Sequence, residues 1–371
     1  MRFCRKGICS TAFMLAAGGA NAQSSITLYG IADAFVQFLN NDGKQSWSQR
    51  SGGSAPSRFG LKGTEDLGGG LKAAFTLENG FNINNGAGFG DTSAMFYRQA
   101  WVGLSHGKYG TFTLGRQYQP TFWVLYPGDP FFANEVLSPL AAAGNVVDRN
   151  TIGMQASGGR SSNSVVYKSP TLKGLQLMAM YAFQSSVTQP VPQTNGNILD
   201  IAATWSGYGL YAGFAYQYQH PGTKTLANLP SVLNTVGTEH FNGALAYQIG
   251  IVNLQFIYGY HRPKHDDSSP LATRLSAVHS YNVMQAGATI QATVADTIEI
   301  VALQRAVRGV HDNMWAVQLG VDHSLSKRTA VYARAGYMKN NGSSTMSWSG
   351  VPVTAPGTGQ TLGAVGITQR F

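Results

Sequence analysis

From Ser25 onward the chain alternates apolar and polar residues, the side-chain period of a β-strand. Between Ser25 and Asn40, Ile26, Leu28, Gly30, Ala32 and Ala34 share one face, and Thr27, Tyr29, Ile31 and Asp33 the other. Leu210, Ala212, Phe214, Tyr216 and Tyr218 alternate with Tyr211, Gly213, Ala215, Gln217 and Gln219. Trp315, Val317, Leu319 and Val321 oppose Ala316, Gln318, Gly320 and Asp322, and Arg58 and Lys62 lie opposite Phe59 and Leu61. Along the whole chain the pattern predicts about sixteen strands, each of the roughly ten residues that a tilted strand needs to cross a bilayer. Two segments are mixed. Arg98, Ala100, Val102 and Leu104 share a face, as do Glu299, Val301, Leu303 and Arg305. Such faces suit a wall covered outside by a neighbouring subunit and inside by an inserted loop.

Short Gly-, Asn- or Asp-containing turns alternate with longer connections at 41–55, 82–93, 119–159, 186–197, 221–238, 261–278 and 340–358. This short/long rhythm is that of a membrane barrel with tight turns at one end and loops at the other. The connection 119–159 stands apart, being far longer than an ordinary one. It carries Phe122, Trp123, Tyr126, Phe131 and Phe132, broken by prolines, and three acids: Asp129, Glu135 and Asp148. So aromatic a loop must pack against something.

Composition agrees. The chain has 45 Gly, 17 Tyr, 18 Phe and 12% charged residues, and after the first segment no apolar run reaches the length of a membrane helix. Residues 1–22 read as a signal peptide: a basic start at Arg2, Arg5 and Lys6, an apolar run from Thr11 to Ala17, and Ala20-Asn21-Ala22 as the cleavage site. The barrel domain is then 23–371. Both cysteines, Cys4 and Cys9, leave with the signal, so the exported chain uses no disulfide. Closure of the sheet provides an alternative, removing every edge and satisfying every backbone group in lipid. Loss of the three signal bases lowers the formal charge from +9 to +6. Export and the dispersal of the bases argue against nucleic acid.

Enzyme-like strings do not hold up. Gly103-Leu-Ser-His-Gly107 matches a nucleophile elbow, but a turn and a strand follow where that motif needs a helix. His261 and His265 are four apart, but Pro263 forbids the helix that would align them on a metal; the segment reads as a polar loop tip. Gly357 to Gly366 leads into a strand and makes no phosphate cradle. No catalytic, cofactor or metal site is expected.

Several blocks resemble the trimeric general porins of β-proteobacterial outer membranes: Ser57-Arg-Phe-Gly-Leu-Lys-Gly-Thr-Glu-Asp-Leu-Gly68, Arg98-Gln-Ala-Trp-Val-Gly-Leu104, Thr113-Leu-Gly-Arg-Gln117, Asn163-Ser-Val-Val-Tyr-Lys-Ser-Pro170 and Leu325-Ser-Lys-Arg-Thr-Ala-Val-Tyr332. The chain also ends in Phe371 after Arg370. Leu172 and Gln369 depart from the usual pattern.

The resemblance implies an all-β fold, a 16-stranded antiparallel transmembrane β-barrel whose third loop folds inward. It implies a homotrimer in the outer membrane of a Gram-negative bacterium, surrounded by lipid and lipopolysaccharide, with Phe371 read by the outer-membrane assembly machinery. The implied function is passive diffusion of small hydrophilic solutes and ions; a substrate-selective channel for small anionic nutrients is the alternative. Loop acids would face wall arginines across the constriction: Arg58, Arg98, Arg160 and Arg116 against Asp129, Glu135 and Asp148, with Lys62 and Arg334 on the lumen wall. Opposed charges across a narrow pore set up a transverse field that polar solutes tolerate better than apolar ones. Because wall bases outnumber loop acids, a mild anion preference is expected.

Overall fold

The structure is a computed structural model that describes residues 25–90, 94–143, 159–184, 196–224, 233–235, 237–264, 279–351 and 355–371. The first 22 residues, read as a signal peptide, lie outside the described residues. The alternating segments form strands β1 (Ser25–Asn41), β2 (Lys44–Ser51), β3 (Arg58–Gly68), β4 (Leu71–Gly80), β5 (Gln99–His106) and β6 (Gly110–Tyr118). Two short helices, α1 (Pro120–Leu125) and α2 (Pro139–Ala142), occupy the long connection. Then come β7 (Arg160–Lys168), β8 (Leu175–Ala182), β9 (Ile198–Gly207) and β10 (Leu210–Gln219), with a small separate hairpin of β11 (Gly222–Lys224) and β12 (Leu233–Thr235). The chain continues through β13 (Gly237–Ile249), β14 (Val252–Lys264), β15 (Tyr281–Gln291), β16 (Asp296–Val307), β17 (Asp312–Ser324), β18 (Thr329–Gly342) and β19 (Gly359–Arg370).

Sequence neighbours pair antiparallel all the way round, and β1 pairs with β19 from Ile31↔Arg370 to Asn41↔Gln360. The ring is sealed at Phe371, whose N–H donates to the Gly30 carbonyl at 3.1 Å while Gly30 N–H donates to the Phe371 carbonyl at 3.0 Å. β2 and β3 are two halves of one barrel strand: β1 pairs with β2 over Ala34–Asn41 and with β3 over Ser25–Ile31. The result is a closed antiparallel barrel of sixteen strands. No helix among the described residues is long and apolar enough to cross a membrane.

Inside and outside are inverted relative to a soluble protein. Leu177, Phe214, Leu245, Leu254, Ile300 and Leu319 are exposed on the outer face, as lipid contact requires. The buried apolar cluster lies within the ring, between the long loop and the wall, and includes Val124, Leu125, Val136, Leu137 and Leu140 with Ala244, Ile257, Val283 and Trp348. This explains the mixed face of β16. Val301 and Leu303 are buried together with Glu299 and Arg305, because that stretch of inner wall is covered.

Three connections differ from expectation. The stretch 41–55 is not a long external loop. Asp42 and Gly43 take φ of 53° and 83°, the conformation of a two-residue hairpin turn, and β2 follows at once. The excess length sits at 52–57, which folds inward between β2 and β3. The stretch from His261 belongs to β14 rather than to a loop tip, and His261 is buried, its Nδ1 2.6 Å from Nδ1 of His240. β18 likewise continues to Gly342, two residues into the connection expected at 340–358.

Candidate pore constriction

The loop's own chemistry shapes its inward course. Pro120 and Pro139 sit in the first turns of α1 and α2, where a missing N–H costs nothing. The Ser138 hydroxyl caps α2 by accepting from Leu140 N–H at 3.1 Å. Between the helices a single 3₁₀ turn, Tyr126–Gly128, brings the chain against the wall. A Cβ on Gly128 would come within 2.8 Å of Ile257, so only glycine permits that approach.

Polar anchors then fix the loop to strands far round the ring. Thr121 donates through its N–H and its hydroxyl to Asp200 on β9, at 3.2 and 2.9 Å. Tyr211 OH on β10 donates to the carbonyls of Trp123 and Val124. Gln255 on β14 donates to the Pro127 carbonyl, and Gln285 on β15 to Asp129. Asn134 Nδ2 reaches the carbonyls of Gly52, Gly53 and Ser54, at 3.1, 3.3 and 2.8 Å. The inward 52–57 segment is itself held by Asp33, whose carboxylate accepts from the N–H groups of Gly53, Ser54 and Ala55 and from Tyr332 OH. The loop therefore crosses the lumen and ends on the interrupted strand.

At that crossing sits a buried charge cluster. Arg98 Nε contacts Glu78 Oε1 at 2.8 Å, and Arg98 Nη2 donates to Tyr118 OH at 2.8 Å. Arg160 Nη2 contacts Glu135 Oε1 at 2.7 Å, and Arg98 Nη1 contacts the same oxygen at 3.4 Å. Arg160 also donates to Tyr118 OH, and its guanidinium lies 4.2 Å from the centre of the Tyr118 ring. Burial alone would push the Glu135 carboxyl up, but the charges of Arg160 and Arg98 outweigh it and hold the group below the usual carboxylate range.

Arg98 escapes the parity of its segment for a local reason. The ladder of β5 begins only at Gln99, so Arg98 lies outside the alternation that sends Val102 and Leu104 outward, and its side chain turns in.

Arg58 differs from both. Its Nε donates to the Pro56 carbonyl at 3.1 Å, and its terminal nitrogens have no partner among the described residues. Ile31 on β1 pairs with Arg58 on one side and Arg370 on the other, so the two arginines share a row on either side of it. Arg58, Arg334 and Arg370 line a cavity of about 170 Å³ together with Tyr126, Phe131 and Phe132. Arg334 is paired with Asp322 at 2.7 Å and Glu299 at 3.4 Å. Lys62 lies four residues from Arg58 along β3, its Nζ 5.4 Å from the centre of the Tyr29 ring. Arg116 is not brought to the cluster. It sits at a bulge where the β6–β7 register shifts, and it turns to the Tyr97 carbonyl and the Ser162 hydroxyl. Asp148 lies outside the described residues.

Asp129 is fully buried and serves the loop itself. Its carboxylate accepts from Phe131 N–H, Ala133 N–H, Ser138 OH and Gln285 Nε2, and burial pushes its pKa up against those bonds. It braces a turn in which Phe132 and Ala133 both take φ of 50°, a left-handed conformation that costs about 1 kcal/mol or more per side-chain-bearing residue. The turn leaves Phe132 50% exposed; Tyr126 and Trp123 are 37% and 36% exposed. Their rings run in sequence, with centroids 6.3 Å apart from Trp123 to Tyr126 and 5.4 Å from Tyr126 to Phe132. The loop's lumen face is therefore aromatic, while its described acids are engaged.

Glu78, Tyr118, Asp33, Asp200 and Arg370 were not singled out from sequence. Glu78, Asp33, Asp200 and Arg370 had a visible signal, since a charged residue at inward parity of a membrane strand must face water or a partner; Tyr118 shares the parity of exposed Phe112 and Leu114 and is buried only past the register shift between Gly115 and Gln117.

Comparisons with known proteins agree with this architecture. The family model described as Gram-negative porin matches residues 10–343. The chain is 30% identical to Outer membrane porin protein 32 of Delftia acidovorans over 379 residues, covering 99% of this chain and 100% of that protein. It is 25% identical to the major outer membrane protein P.IB of Neisseria gonorrhoeae, covering 88% and 92%. Among solved structures, the anion-selective porin from Comamonas acidovorans superposes with a TM-score of 0.79 at 27% identity, covering 94% of this chain and 100% of that one.

Proposed function

The chain belongs to the Gram-negative porin family, and from that premise we propose that its lumen admits small anions in preference to cations. It is an outer-membrane channel for the passive diffusion of small solutes, located in the outer membrane of a Gram-negative bacterium. Its family and fold are those of channel proteins rather than enzymes.

The observation that carries the selectivity is the imbalance at the crossing. Glu135 is shared between Arg98 and Arg160, Asp129 is consumed inside the loop, and the Arg58 fork is uncommitted. A fixed positive charge in a water-filled constriction raises the local anion concentration and repels cations. The similarity to a porin described as anion-selective supports the same sign. In planar bilayers under a potassium chloride gradient, the reversal potential should lie on the chloride side; cation selectivity would overturn the reading.

The uncommitted Arg58 also keeps in view a channel tuned to small anionic nutrients, since a free fork can hold a carboxylate bidentately. The same reading takes residues 1–22 as a cleaved signal peptide, the working unit as a homotrimer, and Phe371 as the contact for the assembly machinery. A structure described as a trimer, that of OmpT of Vibrio cholerae, shares the fold with a TM-score of 0.66. Mass measurement of the exported protein, as subunit and as detergent-extracted assembly, tests both the cleavage and the trimer.

A further inference from the structure

We propose that the constriction is a subsite for aromatic carboxylates, with the Arg58 guanidinium taking the carboxylate and the Tyr126–Phe132 surface taking the ring. The inference rests on the anion-channel reading and narrows its substrate class.

Three observations meet here. Arg58 presents terminal nitrogens with no partner among the described residues, while the neighbouring Arg98, Arg160 and Arg334 are all ion-paired. Arg58, Tyr126 and Phe132 line one cavity of about 170 Å³, large enough for a single-ring acid. The third is the cost of the display. Phe132 stands half-exposed in a lumen that must be wetted for ions to pass, on a backbone of positive φ braced by the buried Asp129. A loop selected only to narrow the pore could present a polar residue there without strain, whereas persistent strain at a channel surface is expected where the strained residue does something. An aromatic surface beside a guanidinium binds a planar anion better than either group alone. The ring loses water against Tyr126 and Phe132 while the charge keeps a donor fork. Trp123 extends the surface beyond the cavity, with Lys168 Nζ 4.5 Å from the centre of its ring.

The charged groups around the cavity fit a single bound anion. Arg370 lies in the same row as Arg58 and is exposed. The cavity's acids, Glu135, Glu299 and Asp322, are each engaged by Arg98, Arg160 or Arg334.

The test is single-channel recording with potassium chloride on both sides and benzoate, cyclohexanecarboxylate or acetate added to one side. Benzoate should interrupt the chloride current at concentrations at least tenfold below acetate, and below cyclohexanecarboxylate. Phe132→Leu and, separately, Tyr126→Leu keep an apolar surface without the ring; each should bring benzoate toward cyclohexanecarboxylate. Arg58→Gln should weaken block by all three acids. If the wild-type channel opens and prefers anions but benzoate and acetate act alike, the subsite is overturned and the anion channel stands. If it prefers cations, the underlying reading fails. Phe132→Leu could fail to fold because of its backbone; Tyr126→Leu and the three-acid comparison on the unaltered protein each decide the matter without it.

Discussion

Glu135 Oε1 lies 2.7 Å from Arg160 Nη2, a charged contact that joins the inward loop to the first residue of β7 on the barrel wall. Both side chains are nearly inaccessible. Removing one member of such a pair strands the other, at a cost of about 3–5 kcal/mol. Glu135→Gln should therefore lower the temperature at which the folded barrel loses its compact mobility in detergent gels. It should also move the reversal potential further toward chloride, since two guanidiniums lose their shared acid. An unchanged reversal potential would mean that permeating ions do not sense this pair.

The same carboxylate sets an acid limit. Its folded-state pKa is depressed by Arg160 and Arg98 against the opposing effect of burial. Its stabilising contribution is therefore fully present above the ordinary glutamate value of about 4.3 and is lost as pH falls through the lowered folded value. The part of ion selectivity and thermal stability that Glu135 supplies should hold from neutrality to about pH 5 and be lost in stronger acid. Glu135→Gln should flatten that change; an identical acid profile in the variant would assign it to other groups. Asp129 shifts the opposite way: burial raises its pKa, so its contribution is greatest in acid and diminishes as pH rises through the raised value.

Arg58→Gln removes a wall arginine of the cavity that has no ion pair among the described residues. Because no acid is left stranded, stability should change by under about 1 kcal/mol, while the chloride-to-potassium permeability ratio falls. A fall in stability without a change in selectivity would place Arg58 among the structural residues instead.

Asp129→Ala takes away the acceptor for two backbone N–H groups, a hydroxyl and an amide. Buried donors left unsatisfied cost about 1–3 kcal/mol each, so the turn at Phe132 should relax toward ordinary φ. Bilayer recordings should show frequent partial closures or a shifted unit conductance. A quiet channel of unchanged conductance would show that the turn is held by packing alone.

The barrel was legible in the alternation because a wall with lipid on one side and water on the other must write itself at period two. Arg58 and Lys62 followed from the same parity. Arg98 did not, because one residue of lead before the β5 ladder reverses its side, and hydrophobic pattern carries no trace of where a ladder begins. The hairpin at Asp42-Gly43 was readable from a turn pair between alternating strands, yet the polar stretch after it suggested a loop. The partners of the arginines were hidden more deeply. Glu78, Tyr118 and Glu135 come from three elements, and only the folded register brings them together.

The interrupted strand has a further consequence, for the order of assembly. Asn134 holds carbonyls as far as 82 positions earlier in the chain, and Asp129 holds a glutamine 156 positions later. Contacts of such separation form only after distant loops have closed. The aspartate and asparagine that seat the loop thus draw on both the opening hairpin and the later half of the chain. On a half-built sheet the loop has only some of its anchors, and its aromatic face remains available to water or to chaperones. A seated loop is in effect a report that the ring has closed, which makes the narrowing of the pore one of the last events in making it.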